Sequence, residues 1–220
     1  MKKSLSPMQR ALNLWAIVLI LWSVYRTKLQ LPEWFDELIA KPLIFIVPVY
    51  LYIQNFETKP FFESIYLTRK NVFNNVKTAL AIGVLLTGTA IAANYFRHGS
   101  FSLSTELFRM GTLKLLFIII LSLATAFSEE LLSRGFILKR LFEDSNNIYS
   151  ASFLSSILFL VLHIPILLTN NQLGGSLILL FFMTDFILSM VNSFLYLEGK
   201  NLVAPILVHA FYNLAIIFYI

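Results

Sequence analysis

Apolar residues fall in long runs along this chain, and polar residues gather between the runs. A transmembrane helix needs about 20 mostly apolar residues to cross a hydrocarbon layer of about 30 Å. Seven segments approach that measure: 11–25, 37–54, 76–95, 113–128, 150–168, 176–197 and 202–220. The first is the shortest for a full crossing. Polar stretches at 57–75 and 96–112 separate the runs, and no internal repeat, low-complexity tract or soluble domain interrupts them. The pattern predicts an all-α, polytopic transmembrane bundle of about seven spans. An eighth half-helix would move the C-terminus to the other side. Helical character in the fourth segment continues past Glu129 to about Phe142, with Gly135 inside it.

Composition strengthens this reading. Of the 220 residues, 58% are hydrophobic and 13% are charged, where a soluble domain carries roughly a quarter charged residues. The mean hydropathy is +0.76. A soluble chain this apolar would expose more greasy surface than one core hides. With no cysteine, disulfides, thiol nucleophiles and Cys-ligated metals are excluded. The pI of about 9.4 does not point to nucleic acid, because the basic residues are scattered between apolar runs as topology signals. With a cytoplasmic N-terminus, the inner flanks take Lys2, Lys3, Arg10, Lys59, Arg69, Lys70, Lys77, Arg134, Lys139, Arg140 and Lys200. The outer side takes Arg26, Lys28, Lys41, Arg97, Arg109 and Lys114, so the asymmetry favours that orientation. No Ala-x-Ala-type site follows the first run, which is read as a retained helix.

Three groups of polar residues in apolar surroundings carry the candidate chemistry. The first is Ser128-Glu129-Glu130-Leu131-Leu132-Ser133-Arg134. Adjacent acids at the end of an apolar run are costly unless they face protein or a water-filled cavity. Glu130 and Arg134, at i and i+4, lie about 40° apart around a helix and can pair. Glu129 is about 140° from Arg134 and is expected to remain an uncommitted carboxylate, suited to a general base. The plain alternative is a charged helix end. The second group is His163, with Phe159 one turn earlier on the same face, and the third is His209 with Asn213 one turn later. For both, the plain alternative is a hydrogen bond between helices. Asp185 stands alone in the sixth segment, with Asn192 two turns later. It is a secondary candidate, pairing with a buried His or Lys or lining a water path.

Taken in order, Glu129-Glu130…Arg134, Phe159…His163 and His209…Asn213 resemble the signature blocks of the type II CAAX prenyl protease and bacteriocin-processing family, also called the Abi family of intramembrane proteases. The blocks are Glu-Glu-x-x-x-Arg, Phe-x-x-x-His and His-x-x-x-Asn/Asp. The resemblance covers roughly 113–220, and residues 1–112 carry no recognised signature. It implies an intramembrane endopeptidase in which Glu129 and His163 activate water while His209 and Asn213 hold the oxyanion. Glu130, Arg134 and Phe159 give structural support. No cofactor is implied. A zinc held by Glu129, His163 and His209 is the minority alternative, although His-Glu-x-x-His is absent.

The partners expected are the lipid bilayer and a peptide or lipidated-peptide substrate, with no nucleic acid. The compact chain points to a bacterial peptide or leader as substrate. Two other classes compete: a non-proteolytic immunity or scaffold protein of the same fold, and a proton-coupled transporter using Asp185, Glu129 and the histidines as relay groups. Transporters usually carry repeat symmetry and broken helices, which this sequence does not display.

Overall fold

A computed structural model describes residues 5–29, 31–99, 111–169 and 175–219, and every regular element among them is helical. The helix α1 spans Pro7–Lys28. It is 22 residues long rather than the short segment expected, because Ser6 caps it. The Ser6 hydroxyl accepts from Gln9 N–H at 3.2 Å and the Gln9 side chain accepts from Ser6 N–H at 3.0 Å, a reciprocal capping box. The helical segment 33–56, α2, contains two π-type stretches, Asp36–Ala40 and Pro42–Ile46, before the regular turn pattern of Val47–Phe56. Pro42 and Pro48 lack the N–H that a regular helix uses, and π-turns are a known cause of kinks. A single turn, α3, at Phe61–Ser64 leads to α4 at Val72–His98.

The next helix, α5, runs over Thr112–Ser145, and its residues Leu131–Leu138 are π-helical. It continues past Glu129 as the sequence suggests. It is followed by α6 (Ile148–Thr169), α7 (Gly175–Gly199) and α8 (Val203–Tyr219). Among the described residues, α1, α4, α5, α6 and α7 are long and apolar enough to cross a membrane. The other two of the seven expected segments fall short of that measure: α8 is a shorter apolar helix, and α2 is broken by its π-turns and acidic start. Most of the polar stretch expected at 96–112, together with Lys2, Lys3 and Arg109, lies outside the described residues.

The surface pattern is that of a membrane bundle. Large apolar side chains such as Phe73, Val84, Leu85 and Leu179 face outward, while Glu130, Arg134 and Asn192 are completely buried. Backbone groups at membrane depth must be satisfied internally, and helices do this. The most extensive helix pair is α4 with α8. It depends on Gly83, where a Cβ would stand 2.5 Å from the Phe211 ring. The Trp22 ring of α1 packs edge-on against Phe45 of α2 at 5.2 Å, and α1 also packs against α6.

Several basic residues expected as topology signals are packed inside instead. Lys41, Arg134, Lys139 and Arg140 are all buried, and Arg26 pairs with Asp36. Each has an acidic or carbonyl partner that offsets the cost of leaving water.

Candidate active site

The site is built where the regular part of α5 passes into its π-helical stretch. Arg134 lies 3.0 Å from Glu130, and both side chains are fully buried. The arginine stacks over the Phe159 ring of α6 at 4.6 Å. Glu130 Oε1 also accepts from Asn192 Nδ2 at 3.0 Å and meets His209 Nδ1 at 2.7 Å. One carboxylate oxygen therefore links α5, α7 and α8. The i, i+4 pairing is as the sequence suggests, but Asn192 and His209 enlarge Glu130's part beyond a simple ion pair.

Glu129 is not the uncommitted carboxylate expected. Its Oε1 accepts from Lys41 Nζ at 2.6 Å, and the same ammonium is 2.7 Å from Glu37 Oε2. Thr125, one turn before Glu129 on α5, donates to that Glu37 oxygen at 2.6 Å. The helical angle between Glu129 and Arg134 rules out only a partner on the same helix, and the cation comes from α2 instead. Glu129 Oε2 is buried with no hydrogen-bond partner among the described residues. It stands 3.6 Å from His163 Nε2 and 3.7 Å from His209 Nε2. Both separations exceed a direct hydrogen bond.

The two imidazoles are oriented from behind. His163 Nδ1 donates to the Phe159 carbonyl at 3.0 Å, because a carbonyl only accepts, so Nε2 is the nitrogen that faces Glu129. The Phe159 ring packs edge-on against His163 at 4.7 Å and His209 at 5.8 Å. Phe159 is thus the common floor for both histidines and Arg134. Asp185 joins the same group: its Oδ1 accepts from Tyr212 at 2.8 Å, and its Oδ2 is 3.8 Å from His163 Nε2. That Oδ2 is likewise buried without a hydrogen-bond partner among the described residues.

Glu129, His163, His209, Asn213 and Asp185 all line one cavity of about 540 Å³. Phe117, Leu121, Ile166 and Ile216 supply apolar wall, and Glu33, Glu37 and Lys114 also border the space. The structure therefore brings together all four residues expected to do chemistry and adds Asp185. Among the described residues, no group of three or more His, Cys, Asp or Glu is arranged to hold a metal ion. The residues missed from sequence are Lys41, Glu37 and Thr125. A signal was present: Glu37 and Lys41 are opposite charges at i and i+4 inside an expected span, where ionisable residues are functional candidates by default.

This arrangement, a membrane-embedded helical bundle with carboxylates and imidazoles converging on an interior cavity, suits hydrolytic chemistry within the bilayer. Residues 111–215 match the family model described as type II CAAX prenyl endopeptidase Rce1-like. The match supports the family resemblance read from the three blocks, all of which fall inside it. No curated protein and no solved structure matches the chain significantly.

Proposed function

We propose that this protein is an intramembrane endopeptidase that hydrolyses peptide bonds with water activated between Glu129 and His163. The observation that carries the reading is the free Glu129 Oε2 facing two imidazole Nε2 atoms across the cavity wall. A water about 2.8 Å from both Glu129 Oε2 and His163 Nε2 makes ordinary hydrogen bonds and lies beside the line joining them. It passes a proton to this pair as its oxygen bonds the scissile carbonyl carbon. The tetrahedral oxyanion receives hydrogen bonds from His209 Nε2 and the Asn213 amide. Collapse breaks the C–N bond, and the proton returns to the leaving amine. For His209 to donate from Nε2 while Nδ1 donates to Glu130, it carries both protons, and its charge then stands between Glu130 and Glu129.

The substrate is an apolar or lipidated peptide entering from the bilayer, in keeping with the apolar cavity walls. A bacterial peptide or leader is the preferred source. The N-terminus is cytoplasmic and the membrane is the plasma membrane, a reading supported by Arg10 in the first turn of α1 and by Arg69, Lys70 and Lys77 around the start of α4. No metal takes part.

The test uses purified protein in detergent with two internally quenched probes, one a peptide whose farnesylated cysteine is followed by three C-terminal residues and one an unmodified apolar leader peptide. Wild type is expected to cleave at least one. Glu129→Gln should lose on the order of 10²- to 10⁴-fold in rate, the usual contribution of a general base, while remaining folded. Phenanthroline should leave the wild-type rate unchanged. No cleavage of either probe, or full activity in Glu129→Gln, overturns the reading. Activity lost to chelation and restored by zinc replaces water activation by Glu129 and His163 with metal chemistry.

A further inference from the structure

We infer that Lys41 is a positioning residue for this reaction: its ammonium holds Glu129 by one oxygen and so presents the other to the histidines. The inference rests on the peptidase reading above, but it concerns α2, which lies outside the matched segment at residues 111–215.

The geometry assigns the two oxygens of Glu129 different tasks. Oε1 is taken by Lys41 at 2.6 Å. Oε2 is the atom near His163 and His209 and has no hydrogen-bond partner among the described residues. A carboxylate bonded by only one oxygen to one fixed donor has a defined rotation about its terminal torsion, which is otherwise broad and roughly two-fold. Lys41 is itself fixed. It is 3% exposed, Glu37 binds it from the preceding turn, and its ammonium sits 5.9 Å from the Trp22 ring. Glu37 in turn is tied to Thr125, one turn before Glu129 on α5. The chain Thr125–Glu37–Lys41–Glu129 therefore leaves α5 and returns to it, so that α2 acts as a brace across the site.

Charge points the same way. Glu129, Glu37 and Asp185 border one cavity, Glu130 is the next residue after Glu129, and Arg134 is committed to Glu130. Lys41 is the cation in hydrogen-bond contact with Glu129, and without it only the His209 charge, 3.7 Å away, offsets the carboxylate against the other acids in a low dielectric. The π-turns of α2 flank Lys41 on both sides. Such turns occur frequently at functional sites.

The test compares Lys41→Met, Lys41→Arg and Lys41→Ala with wild type, using the probe that wild type cleaves and equal amounts of monodisperse, folded protein. Lys41→Met keeps the stem and removes the charge. It is expected to lower kcat roughly 10²-fold, the scale of a misplaced reacting group, with KM little changed. Lys41→Arg should retain more rate than Lys41→Met. Lys41→Ala should recover rate on adding propylammonium, which restores the missing atoms, but not tetramethylammonium, which has no N–H. A Lys41→Met enzyme with wild-type kcat, or equal rescue by both cations, overturns the inference while leaving the peptidase reading intact. Failure of wild type itself to cleave overturns both.

Discussion

The helix α5 carries two sets of buried ionic groups less than two turns apart, and they are finished differently. At the far end, Arg140 Nη1 donates to the carbonyls of Gly135 at 2.8 Å and Phe136 at 3.0 Å, and its remaining nitrogens meet Glu57. Lys139 donates to the Ser64 carbonyl at 2.6 Å and lies near Glu143 and the Tyr66 ring. Every nitrogen of these two cations has a partner. At the cavity end the cluster is incomplete among the described residues: Glu129 Oε2, Glu130 Oε2, Asp185 Oδ2, Asn192 Oδ1 and two Arg134 nitrogens have no hydrogen-bond partner. Buried polar atoms are nearly always paired, so each exception calls for a reason. The far cluster is a fastening that holds the 61–70 segment against α5, with Tyr196 and Asn201 adding bonds to the same segment. The near cluster keeps hydrogen-bonding capacity in reserve, as a hydrolytic site needs for water and substrate.

The difference can be broken most forcefully at Arg134. It sits at the root of the cavity cluster, bonded to Glu130 and stacked on Phe159. Removing one partner of a buried pair costs about 3–5 kcal/mol. Arg134→Ala is therefore expected to lower the yield of folded protein and its thermal midpoint in detergent sharply, and Arg134→Lys less so. Equal midpoints for Arg134→Ala and wild type would remove Arg134 from the structural role given to it. Asn213 sharpens the comparison from the other side. It lies on the cavity wall and is only partly buried. Asn213→Ala should leave stability almost untouched while lowering kcat roughly 10²- to 10³-fold, the scale of one oxyanion donor. A rate loss that merely follows loss of folded protein would count against an oxyanion role.

The parts of the site that could be read from the sequence are those whose logic is local. Glu130 with Arg134, Phe159 with His163, and His209 with Asn213 are each separated by four residues, one helical turn, and each stands out against apolar neighbours. The contacts that complete the site are not local. Lys41 and Glu129 are 88 residues apart, and His209 and Glu130 are 79. No periodicity within one helix indicates which faces of two helices will meet. Lys41 was open to misreading because a lysine within an apolar segment satisfies a topology count and an ion pair equally well. The fold shows the same division. The helices of the bundle follow from run length and hydropathy, but the extension of α1 depends on the Ser6–Gln9 cap. The π-turns of α2 and α5 hold buried charges, Glu37 and Arg134 among them, and the apolar pattern carries no sign of them.

The gentlest way to probe the contrast is Glu57→Gln at the fully paired cluster. Glu57 follows directly after α2, and its side chain is 23% exposed, while Arg140 is nearly buried. The substitution keeps an acceptor oxygen for the guanidinium and removes the charge. Arg140 retains its bonds to Gly135 and Phe136 and its place over the Phe136 ring at 4.3 Å. Partial exposure screens what is lost, so the expected cost is about 1 kcal/mol, read as a small fall in the thermal midpoint. Cleavage per folded molecule should be unchanged, since no atom of this cluster borders the cavity that holds Glu129 and His163. Repeating the substitution in Lys41→Met should give additive effects, as distant sites without shared partners do. A fall in kcat with Glu57→Gln, or strong non-additivity with Lys41→Met, would mean that the fastening and the site are one mechanical unit along α5. The division between a completed cluster and a reserved one would then be wrong.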